Sequence, residues 1–227
     1  MEACVNVARM EHVSKSFATE PPVVPLIDVD LEVPGGQVVA ITGVSGKVKS
    51  TLLNVLGGLM RPDKGSVWFM GENLTQASAA RIDALHKQGI GFAFQTPYLF
   101  SALTARENLE FSFKLAKRPD PAALAQLALE DFGLSERGDH MPFELSAGQK
   151  RRLAIARALG GDHRIILADE PTNDLDQHWA DYVFERFAAF AHGEANRAVV
   201  VVTHDPRYAQ KADVVYALED GRLTLRR

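Results

Sequence analysis

Five short runs of apolar, largely β-branched residues constrain this 227-residue chain most: QVVAIT (37–42), GIGFAF (89–94), RIILAD (164–169), AVVVVT (198–203) and DVVYAL (213–218). None alternates cleanly between polar and apolar, so each needs cover on both faces, the condition of a strand inside a mostly parallel sheet. Helical spacing at 49–60, 104–116, 121–132, 146–159 and 176–191 supplies that cover, and strands alternating with helices give an α/β fold. Pro21, Pro22, Pro25, Pro34, Gly35 and Gly36 punctuate an opening segment of shorter strands, read as a small antiparallel β segment leading into the core. Residues 96–160 carry helical patterns and no strand, so they read as a helical lobe inserted into a core made of 1–95 and 161–227. One domain, 1–227, accounts for the whole, and 46% hydrophobic residues is ample for its interior.

Charge and cysteine content exclude several functions. With 25 Lys and Arg against 29 Asp and Glu, net −4, the chain lacks the basic footprint of a nucleic-acid binder, and no nucleic acid is expected as partner. The single cysteine, Cys4, cannot form an internal disulfide. The longest apolar runs fall far short of the roughly 20 residues of a membrane helix, and the first residues lack a signal-peptide core, so a cytoplasmic location is expected.

The first strand of the core runs into GVSGKVKST (43–51), and a helical pattern follows at once. The stretch approximates G-x-x-x-x-G-K-[ST], the loop that cradles a nucleotide triphosphate. Gly43, Lys49 and Ser50 fit, and Val48 stands where the second glycine belongs. Backbone N–H groups of Ser45, Gly46, Lys47, Val48 and the first helical turn through Thr51 would face phosphates, with the helix dipole favouring their charge. Lys49 would reach the terminal phosphates, the Ser50 hydroxyl would hold Mg²⁺, and Lys47 would add a second positive charge. Alone, the stretch also admits a glycine-rich strand-to-helix turn with no ligand.

RIILADE ends a strand in Asp169 and Glu170, at the edge where open α/β sheets bind ligands. Asp169 is placed to orient Mg²⁺ and Glu170 to polarise an attacking water. Adjacent carboxylates point to opposite faces of a strand, so both serve one site only if the strand stops there; Pro171 supplies the break.

A third element, ELSAGQKRRLAIARAL (144–159), resembles the LSGGQ signature of ATP-binding cassette (ABC) ATPases and the basic, alanine-rich helix behind it. Ser146, Gly148 and Gln149 would open a helix whose free N–H groups meet phosphate. In the family this element faces the nucleotide held by the other subunit. The remaining family motifs match in order. Gln95, ending GFAFQ, matches the glutamine that touches Mg²⁺ and water. His204 in VVTHD matches the switch histidine on the γ-phosphate. Asp176, in NDLD, matches the D-loop residue of the subunit contact, and Phe17 the aromatic stacked on adenine. GGLMRPDKGSV and GFAFQTPYLFSALTARENL are similar to the lipoprotein-releasing, macrolide-export and cell-division branch.

The resemblance implies a P-loop NTPase core that uses ATP and Mg²⁺, with Glu170, His204, Lys49 and Gln95 carrying hydrolysis and Ser50, Gln95 and Asp169 holding the metal. It implies a head-to-tail homodimer or paired cassette, driving an integral membrane permease from the inner face of the cell membrane. Two alternatives stay open: a non-transport ABC ATPase of cell-division or regulatory type, and a nucleotide-binding module with impaired hydrolysis. Val48 keeps the second open, because a β-branched residue on the backbone that glycine normally adopts there would carry strain of about 1–3 kcal/mol. That weakens nucleotide binding roughly 5- to 150-fold, and a working but slow ATPase is the expectation.

Overall fold

The computed structural model describes residues 6–21, 23–43 and 46–227. In chain order the elements are β1 (Asn6–Phe17), β2 (Val23–Pro34), β3 (Gln37–Thr42), α1 (Gly46–Leu56), β4 (Lys64–Phe69), β5 (Glu72–Asn73), α2 (Ala79–Gln88), β6 (Ile90–Ala93), α3 (Ala105–Leu115), α4 (Pro121–Asp131), α5 (Ala147–Gly160), β7 (Ile165–Asp169), α6 (Gln177–Gly193), β8 (Ala198–Val202), α7 (Pro206–Lys211), β9 (Val214–Glu219) and β10 (Arg222–Leu225).

The apolar runs form one sheet in the order β10-β9-β3-β8-β7-β6, parallel from β9 through β6, with β10 antiparallel at the edge. Their uniform hydrophobicity has the expected cause. Val38, Ala40, Ile166, Ala168, Val199 and Val201 face a core shared with α3, α4, α5, α6 and α7. Val39, Ile41, Ile165, Leu167, Val200 and Val202 face a second core shared with α1 and the N-terminal sheet. Side chains alternate across the sheet, and neither set of faces meets water.

The N-terminal sheet is antiparallel, in the order β2-β1-β4-β5. Its first two strands are twelve residues each, not the shorter pieces that the prolines suggest. Pro25 falls in β2, at the edge of this sheet, where a missing N–H breaks no ladder. Pro34 ends β2, and Gly36, at φ +76°, turns the chain into β3.

Between β6 and β7 the described chain is helical, with α3, α4 and α5 packed into the first core. Thr104 and Glu107 cap α3 reciprocally, and Pro121 opens α4 behind its Asp120 cap. The sequence reading passes over α2, although Ser78 caps it by accepting from the Arg81 N–H. Among the described residues, no helix is long and apolar enough to cross a membrane.

Candidate functional site

The parallel strands bring the predicted residues to one edge of the sheet. Ile41 lies opposite Val202, which lies opposite Asp169, and Ala168 lies opposite Ala93. Gly43, Gln95, Glu170 and His204 therefore all follow strand ends on the same side, where ligands enter open α/β sheets. Gly43 is fixed by close approach: at φ +154°, a Cβ there would overlap the Leu218 carbonyl oxygen.

Lys49, Ser50, Asp169, Glu170 and His204 are in direct contact. Lys49 is 2% exposed; its Nζ donates to the Gly43 carbonyl at 2.6 Å and lies 3.7 Å from Glu170 Oε1. Ser50 Oγ donates to Asp169 Oδ2 at 2.5 Å. Glu170 Oε2 is 2.8 Å from His204 Nδ1 and also accepts the His204 backbone N–H at 3.3 Å. Thr51 is buried on the following position.

Two features single out the adjacent carboxylates. β7 ends at Asp169, and Glu170 takes φ +46°, a left-handed conformation that costs an ordinary L-residue about 1–2 kcal/mol. The turn resolves the two-faces problem, since it lets Glu170 lie beside Lys49 and His204 while Asp169 reaches Ser50. Burial pushes the Asp169 carboxyl above its usual range, against the Ser50 hydrogen bond, which lowers it. Its Oδ1 is buried without a hydrogen-bond partner.

That orphaned oxygen tests the fit of Mg²⁺. A hard cation takes oxygen ligands and keeps several waters, and a buried carboxylate oxygen beside a serine hydroxyl suits it. No three His, Cys, Asp or Glu among the described residues form a protein-only metal cage, so phosphates and water would have to supply the remaining ligands. The donor set fits the metal.

A second group surrounds α5. Ser146 and Gln149 cap each other: Gln149 N–H donates to Ser146 Oγ at 3.2 Å, and Ser146 N–H to Gln149 Oε1 at 2.8 Å. Gly148 lies against the Asp174 carbonyl, 2.8 Å from where a Cβ would stand. Asp176 caps α6 by accepting the Trp179 N–H at 2.9 Å. Phe17 stands apart at the end of β1, half-buried, with Lys15 Nζ 5.8 Å above its ring. Gln95 is exposed. Ser45 lies outside the described residues, as do the side chains of Gly46 and Lys47, which open α1.

The sequence profile of the ABC transporter family matches residues 26–173. The chain belongs to this family. It is an ATP-binding subunit, and its relatives name the branch. It is 40% identical over 222 residues to the lipoprotein-releasing system ATP-binding protein LolD 1 of Chlorobium luteolum, covering 94% of each chain. It is 43% identical over 203 residues to the macrolide export ATP-binding/permease protein MacB 1/2 of Paracoccus denitrificans, covering 87% of this chain and 30% of that longer protein. The ATP-binding cassette MJ0796, solved as a dimer bound to ADP and Pi, superposes with a TM-score of 0.91 at 31% identity, over 97% of this chain and 98% of that one.

Within this cassette, Val48 is not where the sequence reading puts its cost. It lies inside α1, is not among the residues of positive φ, and packs half-buried against the core that contains Ile41 and Leu52. The backbone stores no left-handed strain there.

Sequence reasoning missed Arg151. Only 3% exposed, it donates from Nη1 to the Phe94 carbonyl at 2.8 Å and from Nη2 to Asp174 Oδ2 at 3.2 Å. In the run KRR, nothing in the sequence separates it from Lys150 and Arg152 beside it.

Proposed function

We propose that the cassette hydrolyses ATP between two copies, or between itself and a paired cassette, and so drives a separate membrane permease from the inner face of the membrane. The observation that supports this most is the contact set at the sheet edge: Lys49 against Glu170, Glu170 against His204, and Ser50 on an Asp169 whose other oxygen has no partner. In the dimer the core, 1–95 and 161–227, presents the phosphate loop of one copy to the LSAGQ of the lobe, 96–160, on the other. The dimeric MJ0796 cassette bound to ADP and Pi supports that pairing.

On this reading Gly43, Ser45, Gly46, Lys47, Val48 and Thr51 line the phosphates, and Phe17 carries the adenine. Lys49 exchanges the Gly43 carbonyl and Glu170 for phosphate oxygens, stabilising charge as it develops in transfer. Ser50, Asp169 and Gln95 would hold Mg²⁺, which would supply neutralisation of phosphate charge. Glu170 accepts a proton from the attacking water, and His204, on the same carboxylate, orients it and holds the γ-phosphate. Across the interface Ser146, Gly148 and Gln149 contact the γ-phosphate, and Asp176 helps form the subunit contact.

The test is Glu170→Gln, which keeps the shape and removes the base. ATP affinity is expected to hold while turnover falls by about 10²- to 10⁴-fold and an ATP-bound dimer accumulates on size exclusion. Hydrolysis at the wild-type rate would take Glu170 out of the role.

A further inference from the structure

Arg151 joins the start of α5 to two segments that follow the ends of β6 and β7. It rises from the first turns of α5, directly behind Ser146 and Gly148. One arm of its guanidinium holds the carbonyl of Phe94, the residue before Gln95. The other holds Asp174, two residues before Asp176, in a turn where Asp174 itself takes φ +64°. Its charge also reaches Asp169, lowering that carboxyl against the larger effect of burial. A planar fork can hold a carbonyl and a carboxylate at fixed separation; a lysine, with one point charge, cannot.

We infer that Arg151 is a positioning residue for hydrolysis: it fixes the Gln95 segment and the Asp174–Asp176 turn to the start of α5, so that all three move as one body. Burial makes the link firm, because a guanidinium that is 3% exposed has little water to replace either partner. Asp174 is half exposed, so a substitution there disturbs little packing.

Two readouts on the full chain test this. Hydrogen–deuterium exchange without nucleotide, over residues 94–96 and 172–176, asks whether the link exists. Arg151→Gln is expected to speed exchange in both segments together by about tenfold, the equivalent of one charge-assisted hydrogen bond. ATP turnover asks whether the link serves the reaction. This arm rests on the ATPase reading above; kcat is expected to fall about 10- to 100-fold with ATP affinity unchanged, a split that general destabilisation would not give. Asp174→Asn should release 172–176 and lower kcat in the same direction, and it decides the matter if Arg151→Gln does not fold. Release of one segment alone in Arg151→Gln, or a wild-type kcat in either folded variant, overturns the inference. A wild-type protein that hydrolyses no ATP counts against the ATPase reading instead, and the exchange arm then decides the link by itself.

Discussion

Replacing Val48 by glycine should move stability and nucleotide affinity in opposite directions. Val48 is half-buried against the core of Ile41, Leu52 and Leu53, so removing its side chain gives up about 1 kcal/mol of apolar burial. Glycine inside α1 costs a further few tenths of a kcal/mol relative to valine, about 1–1.5 kcal/mol in all. For a chain of this size that lowers Tm by about 2–6 °C. Affinity changes the other way. Val48 carries no left-handed strain in α1, so on the proposed reading its cost would fall on the approach of the loop backbone to the phosphates past a branched side chain. If that cost is about 1–3 kcal/mol, Val48→Gly tightens ATP binding roughly 5- to 150-fold. Isothermal titration with MgATP and thermal melting of nucleotide-free protein measure the two effects separately. Equal affinity in both proteins would show that the valine sits clear of the phosphates, and a higher Tm in the glycine variant would refute the packing account.

Two further outcomes follow from single contacts. Ser146→Ala removes the reciprocal cap of α5 and should cost about 1 kcal/mol, read as a Tm lower by about 2–4 °C in nucleotide-free protein, where phosphate contributes nothing. His163, enclosed by Gly91 and Gly161, has its pKa lowered by burial from 6.5 to about 4. It stays neutral in the fold while the unfolded chain takes up a proton below pH 6.5, so its contribution is complete above that pH and is lost as pH falls toward 4. Denaturant titrations should record a loss of up to about 3 kcal/mol across that window, and His163→Gln should flatten it; an unchanged slope would mean that His163 protonates in place.

Much of the sheet and its edge was legible because both rest on local rules. A run such as IILAD can be buried on both faces only in one kind of sheet, and a strand that stops at Asp169 puts the next residue at the ligand edge. Glu170 was therefore placeable from the strand end, and His204 from the family resemblance, before their 2.8 Å contact was known. Lengths in the N-terminal sheet were not legible, because a proline on an edge strand and a proline in a turn look alike in sequence while only the second ends a strand. Arg151 was hidden for a related reason: its partners, the Phe94 carbonyl and Asp174, lie 57 and 23 residues away, and one of them is backbone. The phosphate-loop pattern also misdirected at one point. It assigned the cost of Val48 to a glycine-like backbone, whereas the helix begins at Gly46 and takes Val48 into it.

The contacts at the sheet edge describe a site that is nearly self-satisfied. Lys49, buried from water, has a carbonyl and a carboxylate as partners; Glu170 has a lysine and a histidine; Ser50 has Asp169. Breaking one member out of a buried ion pair costs several kcal/mol unless something equivalent replaces it. On the proposed reading nucleotide binding is then an exchange, in which phosphate oxygens would take over Lys49 before Glu170 is free to act on water. Asp169 Oδ1, already desolvated and without a hydrogen-bond partner, has nothing to exchange. On the proposed reading a cation bound there would gain a ligand without displacing an internal hydrogen bond, which would favour metal-bound nucleotide over the free triphosphate.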